Sequence, residues 1–322
     1  MLERNYKIDN IRFIAMFLVV FSHMIELFAD CEKNLIYRII YSFHMPLFIF
    51  ISGYVAKFDK NKIFKKLIPA YLIFQTIYKI FDCVYIQGIN KITVTYSNPY
   101  WFLWYLFILI GYYLLIPIFD ESIEKRPYIV LLAFAVALFI GFDTSIGYEL
   151  SLSRFISFLP FFLLGYYSKS GEILDKIQND KIIIISSIFG VFLSIFYVAA
   201  FGIPTKSFYH VQAYSIVGYS IADKLMICIF SVLWIIFILN VVPNIRILGI
   251  TFLGQNTFYV YLLQGFLIKF LAKQEFFDFS RITNLILSIS IMLVFYVSCS
   301  NIEFVIKKIR KIINIPFFKN LI

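Results

Sequence analysis

Arg12 and His23 stand eleven residues apart in RFIAMFLVVFSH (residues 12–23), with ten apolar or small residues between them. On a helix that interval is three turns and roughly 20°, so both side chains leave one face, about 16 Å apart in height. Asp9 precedes Arg12 by three positions and Glu26 follows His23 by three, a spacing that permits a side-chain pair at each end of the stripe. Histidine is the side chain whose ordinary pKa suits proton transfer near neutrality. An ionisable group deep in an apolar helix usually faces a cavity or a bundle interior. The stripe thus offers a cation at one end and a proton-transfer group toward the other. As purely structural groups, Arg12 would snorkel to an interface and His23 would hydrogen-bond a neighbouring helix.

A second histidine follows in FHMPLFIFISGY (43–54), where His44 and Pro46 precede Ser52 and Gly53. If the first two apolar segments pack as a hairpin, His44 comes to the depth of His23. Pro46 loosens the local backbone ladder, and Ser52–Gly53 permits close helix approach. The third histidine, His210, falls in a connection. A catalytic centre between the first two segments is the reading these residues favour.

The elements that must position them are membrane helices. The chain has 322 residues, 61% hydrophobic and only 15% charged, against about 45–50% apolar and 25% charged in soluble domains. Spans of about 20 apolar residues are expected at 8–28, 36–58, 66–87, 98–119, 127–142, 152–168, 181–202, 223–242, 256–272 and 282–306. This is an all-α integral membrane protein of about ten transmembrane helices, one multispanning domain over residues 1–322, with no alternating pattern for a barrel. The net charge of +10 does not point to nucleic acid, because its basic residues cluster in alternate connections. Arg4 and Lys7, Lys57 to Lys66, Lys125 and Arg126, Lys169 and Lys176, Arg246 and the tail through Lys319 contrast with a lone Lys33 or Lys91. That asymmetry places both termini in the cytoplasm. The four cysteines lack metal-ligand spacing, and Cys31–Cys83 is the one disulfide the topology permits. The connection at 203–222 is long enough for a lid or an ordinary surface loop.

These residues resemble the acyltransferase-3 family of membrane O-acyltransferases, especially its stand-alone polysaccharide and sugar O-acetylases. The resemblance is carried by Asp9, Arg12 and His23 in IDNIRFIAMFLVVFSHM, and by His44, Pro46, Ser52 and Gly53 in the next span. KIFKKLIPAY adds Lys62, Lys65, Lys66 and Pro69; PYWFLWYL adds Trp101; RFISFLPFFLLGYY adds Arg154; LGQNTFYVYLLQGF is a weaker match. Lysines replace frequent family arginines in the third block, which exchanges bidentate phosphate recognition for point-charge attraction. Gln264 stands where many relatives have a histidine. The resemblance implies transfer of an acetyl or other short acyl group from acyl-CoA to a carbohydrate hydroxyl, without a metal, in a bacterial cell membrane. Its implied partners are the acyl donor, a carbohydrate acceptor and membrane lipid. It gives Lys62, Lys65, Lys66 and Arg12 to the donor's phosphates or pantetheine. His23, with Arg12 and His44, becomes the catalytic group, either as general base or as transient acyl carrier. Asp9, Glu26, Ser52, Trp101 and Arg154 support it. A transporter or lipid-linked sugar flippase is the competing reading, and it predicts charges spread over several central helices.

Overall fold

The computed structural model describes residues 5–87, 95–120, 124–170 and 172–312. Arg4, Lys91 and Lys319, which enter the charge argument above, lie outside them. Among the described residues there is no strand, and eight helices are long and apolar enough to cross a membrane. They are α1 (Tyr6–Ile25), α2 (Leu35–Tyr54), α3 (Lys60–Ile86), α4 (Trp101–Phe119), α6 (Glu149–Tyr167), α7 (Lys181–Ala200), α8 (Ile221–Val241) and α10 (Arg281–Ile312). The fifth and ninth expected spans are also helices but shorter, α5 (Arg126–Phe142) and α9 (Phe258–Lys273).

Burial separates the central helices from the peripheral ones. In their most apolar windows, α1 and α2 bury 67% and 72% of residues, whereas α7 and α10 bury 28% each. Ile185, Phe189, Phe192 and Phe196 line the outward face of α7, where lipid tails are their natural solvent. The polar stripe of α1 therefore sits in the middle of the bundle, shielded from lipid.

Helices in lipid associate through close packing and hydrogen bonds, since apolar burial alone offers little gain there. The most extensive seam joins α2 to α6. A methyl on Gly53 would lie 2.1 Å from the Phe162 carbonyl oxygen, and one on Gly165 would lie 1.9 Å from that of Phe50. Two facing glycines thus set the approach. Pro46 interrupts α2 and cannot donate to the Ser42 carbonyl one turn back. The Ser231 hydroxyl of α8 lies between that oxygen, at 2.8 Å, and the Ile227 carbonyl of its own helix, at 2.7 Å, and shares its one proton with them. The proline's defect becomes a bond between helices.

The third helix differs from expectation at its start. Asp59 caps it, accepting from the Lys62 backbone N–H at 3.1 Å, so Lys62, Lys65 and Lys66 lie on the helix itself and not in a preceding loop. A π turn spans Ile63–Leu67, just before Pro69, where a wider turn accommodates the ring and its missing N–H. Cys31 and Cys83 form no disulfide.

Candidate active site

Two cavities of comparable size lie toward opposite ends of the bundle, about 430 and 420 Å³. The distal cavity draws on the carboxyl-terminal end of α1, the middle of α2 and the starts of α4 and α6. Its walls include His23, Glu26, Tyr41, His44, Trp101 and Arg154. The basal cavity draws on the start of α1 and the end of α2. It is lined by Arg12, Ser52, Lys62, Tyr113, Glu303 and Lys307 among others. Phe48, Tyr105 and Tyr261 line both. The three-turn spacing of α1 therefore delivers one polar group to each cavity, with an aromatic partition shared between them.

Hydrogen bonds fix two of the three partition rings. The Tyr105 hydroxyl meets Ser52 Oγ at 2.6 Å, while that serine donates to the Phe48 carbonyl at 2.8 Å. Tyr261 donates to the Phe102 carbonyl at 3.0 Å and accepts from the Leu106 N–H at 3.3 Å. Buried phenols need such partners, and these also lock the rings in place.

In the distal cavity the His23 imidazole lies 4.8 Å from the Trp101 ring, centroid to centroid. Its Nδ1 is 3.2 Å from Glu26 Oε2. The Tyr41 hydroxyl lies 3.2 Å from the same nitrogen; in the tautomer that donates Nδ1–H to the carboxylate, Nε2 keeps its lone pair. Glu26 also accepts from Tyr37 at 3.1 Å and from Tyr41, so three donors hold one carboxylate. Tyr37 in turn meets the Tyr209 hydroxyl at 2.7 Å. Tyr209, in the 203–222 connection, is pushed up to about 12, chiefly by burial, and stays a neutral phenol. His44 spends Nδ1 on the Ile40 carbonyl at 2.8 Å. Its ring packs 4.7 Å from that of Tyr41, which also faces His23.

The chain carries backbone strain around this cavity. Trp101 has φ +29°, and Leu150, Ser151 and His210 have φ of 52°, 49° and 52°. Side-chain-bearing residues pay for that conformation, and it concentrates where a side chain must be aimed. At Trp101 it accompanies the contact with His23. The long connection closes over the same end: Phe208 and Tyr209 line the cavity. It is held by Arg38 on the Ile203 carbonyl (3.1 Å), Arg154 Nε on the Tyr209 carbonyl (3.2 Å) and Ser153 on the His210 carbonyl (2.9 Å).

In the basal cavity Arg12 pairs with Asp9 at 3.3 Å, and Asp9 also accepts from Gln255 at 3.0 Å. Lys62 donates to Tyr113 at 2.9 Å. Glu303 caps α9, accepting from the Phe258 and Tyr259 N–H groups at 2.9 and 3.2 Å, and pairs with Lys307 at 2.7 Å. A cluster of cations beside backbone dipoles can hold phosphate oxygens.

The sequence-derived residues thus divide. His23, His44, Glu26, Trp101 and Arg154 meet in the distal cavity; Arg12, Ser52 and Lys62 meet in the basal one, with Asp9 behind Arg12. Lys65 and Lys66 line neither and are exposed on α3. Gln264 is buried and lines neither. Sequence reasoning missed Tyr37 and Tyr41, although Tyr37, Tyr41 and His44 recur at helical spacing on one face of α2. It also missed Glu303 and Lys307, an i, i+4 pair, and the ring partition. Among the described residues no cluster of three or more metal-ligand side chains occurs.

Eight helices long and apolar enough to cross a membrane, among the described residues, mark a multi-pass membrane protein. The chain matches the family described as an acyltransferase domain over residues 5–318. It belongs to the acyltransferase-3 family and is an acyltransferase. No curated protein and no solved structure matches it.

Proposed function

We propose that this acyltransferase moves an acetyl or other short acyl group from acyl-CoA to a hydroxyl of a cell-surface carbohydrate or its precursor. The observation that carries the reading is the pair of cavities sharing one aromatic partition, with cations on the basal side and the His23–Glu26 pair on the distal side. The chain acts as one domain in a bacterial cytoplasmic membrane, its basal end and both termini in the cytoplasm, as the lysine-rich connections support. Acyl-CoA then enters from the side where it is made, its phosphates against Arg12, Lys62 and Lys307.

His23 Nε2 takes the proton from the acceptor hydroxyl as that oxygen attacks the thioester carbonyl. The carbon–sulfur bond breaks, and the departing thiolate recovers the proton from the imidazolium. Glu26 holds Nδ1–H throughout and stabilises the imidazolium, a division of labour familiar from catalytic triads. Tyr37 and Tyr41 keep the carboxylate in place.

The test is turnover of radiolabelled acetyl-CoA by purified protein in liposomes, with a crude envelope-glycan extract as acceptor, comparing wild type and His23→Ala. Transfer by the wild type that vanishes in a variant of unchanged helix content supports the reading. A chain that neither binds nor turns over acetyl-CoA or longer acyl-CoAs overturns it and favours transport.

A further inference from the structure

Three cations of this bundle have a carboxylate beside them, Arg12 and Lys269 partly buried and Lys307 half exposed. Arg12 lies 3.3 Å from Asp9, Lys269 lies 2.6 Å from Asp82 and Lys307 lies 2.7 Å from Glu303. This is the expected state, because a charge withdrawn from water is costly unless paired. Lys224 is satisfied differently: it donates to Ser157 at 3.1 Å and lines neither cavity. Two remaining cations face cavities with only hydroxyl, carbonyl or ring partners. One is Lys62, on the basal side, where the donor's phosphates are proposed to sit. The other is Arg154.

Arg154 opens toward the distal cavity from near the start of α6. Its Nε is used on the Tyr209 carbonyl at 3.2 Å, and its guanidinium carbon lies 4.6 Å from the Trp104 ring centroid and 5.9 Å from that of Tyr148. Rings and one carbonyl stabilise a guanidinium without neutralising it. Arginine does not lose its proton to escape the cost. The cavity's one carboxylate, Glu26, is already taken by His23, Tyr37 and Tyr41. Among the described residues no ion pair reaches Arg154. The distal cavity therefore carries a half-buried positive charge whose counter-charge the protein does not supply.

We propose that the acceptor supplies it: the carbohydrate that enters the distal cavity bears an oxyanion, a carboxylate or a phosphate, bound by the terminal nitrogens of Arg154. Trp104, stacked on Phe158 and lying against the guanidinium, holds Arg154 in place, and Trp101, beside His23, offers a ring to the sugar between the two groups. Arg154 then sets which residue of a glycan is seated, and His23 reads the hydroxyl brought within its reach. The inference rests on reading the distal cavity as the acceptor site.

The experiment is a binding measurement that needs no acyl donor. Purified protein in detergent is titrated with methyl β-D-glucuronide, methyl β-D-glucoside 6-phosphate and methyl β-D-glucoside, following tryptophan fluorescence. A charge-assisted hydrogen-bonded pair in a partly dry site predicts about 10- to 100-fold tighter binding of an anionic sugar than of the neutral one. The tighter of the two anionic ligands identifies carboxylate or phosphate. Arg154→Gln removes the preference, Arg154→Lys keeps part of it, and Lys206→Ala, at an exposed cation of the 203–222 connection, leaves it intact. Equal binding of all three sugars by the wild type overturns the proposal, as does a preference that survives Arg154→Gln. If Arg154→Gln does not fold, the wild-type comparison and Arg154→Lys still decide it. Loss of acetyl transfer with the preference intact would instead count against the acyl-transfer reading alone.

Discussion

Replacing Glu26 by Gln tests the catalytic assignment most directly. The substitution keeps the side chain's length and leaves one acceptor oxygen for Tyr37 and Tyr41, so the fold around it survives. What it removes is the anion facing His23 Nδ1 at 3.2 Å. In the proposed mechanism that contact is a hydrogen bond before proton transfer. Once Nε2 has taken the acceptor's proton it becomes an ion pair, so its loss falls mainly on the transition state. A hydrogen bond to a charged partner is worth about 1.5–3 kcal/mol, which at 1.36 kcal/mol per tenfold is a loss of roughly 10- to 150-fold in kcat. The Gln amide can also donate to Nδ1 and draw the proton onto Nε2, the wrong tautomer, which pushes the loss toward the upper figure. Acyl-CoA is expected to bind at the other end of the bundle, so its KM stays within about twofold in this account. The assay is steady-state acetyl transfer in liposomes with both substrates varied. Tyr37→Phe is the companion, since it removes one donor to the same carboxylate without touching His23, and a drop of a few fold is expected. A Glu26→Gln enzyme within threefold of wild-type kcat would refute the assignment of Nε2 as the base.

Arg12→Gln raises KM for acetyl-CoA about tenfold with little change in kcat, the loss of one charge-assisted contact, as read by substrate titration. Lys62→Ala raises the same KM several fold, whereas the Lys65→Ala, Lys66→Ala double variant stays within about twofold, because neither side chain lines a cavity. Gly53→Ala forces α2 away from α6, its new methyl meeting the Phe162 carbonyl at 2.1 Å, and lowers the melting temperature in detergent; Gly147→Ala, with nothing within 4 Å of its added methyl, leaves it unchanged. Ser231→Ala withdraws the donor from the Ser42 carbonyl beside Pro46 and costs about 1 kcal/mol, measured by reversible unfolding in mixed micelles.

What the sequence revealed and what it hid follow from the range of the interactions involved. Asp9, Arg12, His23 and Glu26 lie on one helix, so a fixed rise and rotation per residue were enough to read the stripe and both of its i, i+3 pairs. Gly53 was legible as a close-approach position, but its partner Gly165 lies on α6, and no local rule selects it. The reach of Lys62 and the exposure of Lys65 and Lys66 depend on where α3 begins. The Asp59 cap and the π turn before Pro69 decided that, and hydropathy is blind to both. Trp101 and Arg154 were reached only through the family resemblance, because an aromatic or an arginine at the edge of a span is ordinary by itself. Tyr209 comes from a connection, and Glu303 and Lys307 from the last helix. Their meeting with α1 and α2 is a product of tertiary packing.

The placement of the site follows from the medium as much as from the chemistry. An ionised group on a lipid-facing helix would have water only at the interface, so α7 and α10 could not hold His23 and Glu26 at their depth without a heavy cost. The bundle's most buried helices, α1 and α2, can, because neighbouring helices supply the donors that lipid lacks: Tyr37, Tyr41 and, through them, Tyr209. The same logic explains the partition. Tyr105 and Tyr261 have their hydroxyls satisfied by Ser52 and by the α4 backbone, so their rings separate two polar cavities without leaving an orphaned group between them. A transporter must open such a barrier to pass its cargo. The acyl transfer proposed here needs to bring only a thioester carbonyl and one oxygen together across it, and rings locked by hydrogen bonds suit that smaller task.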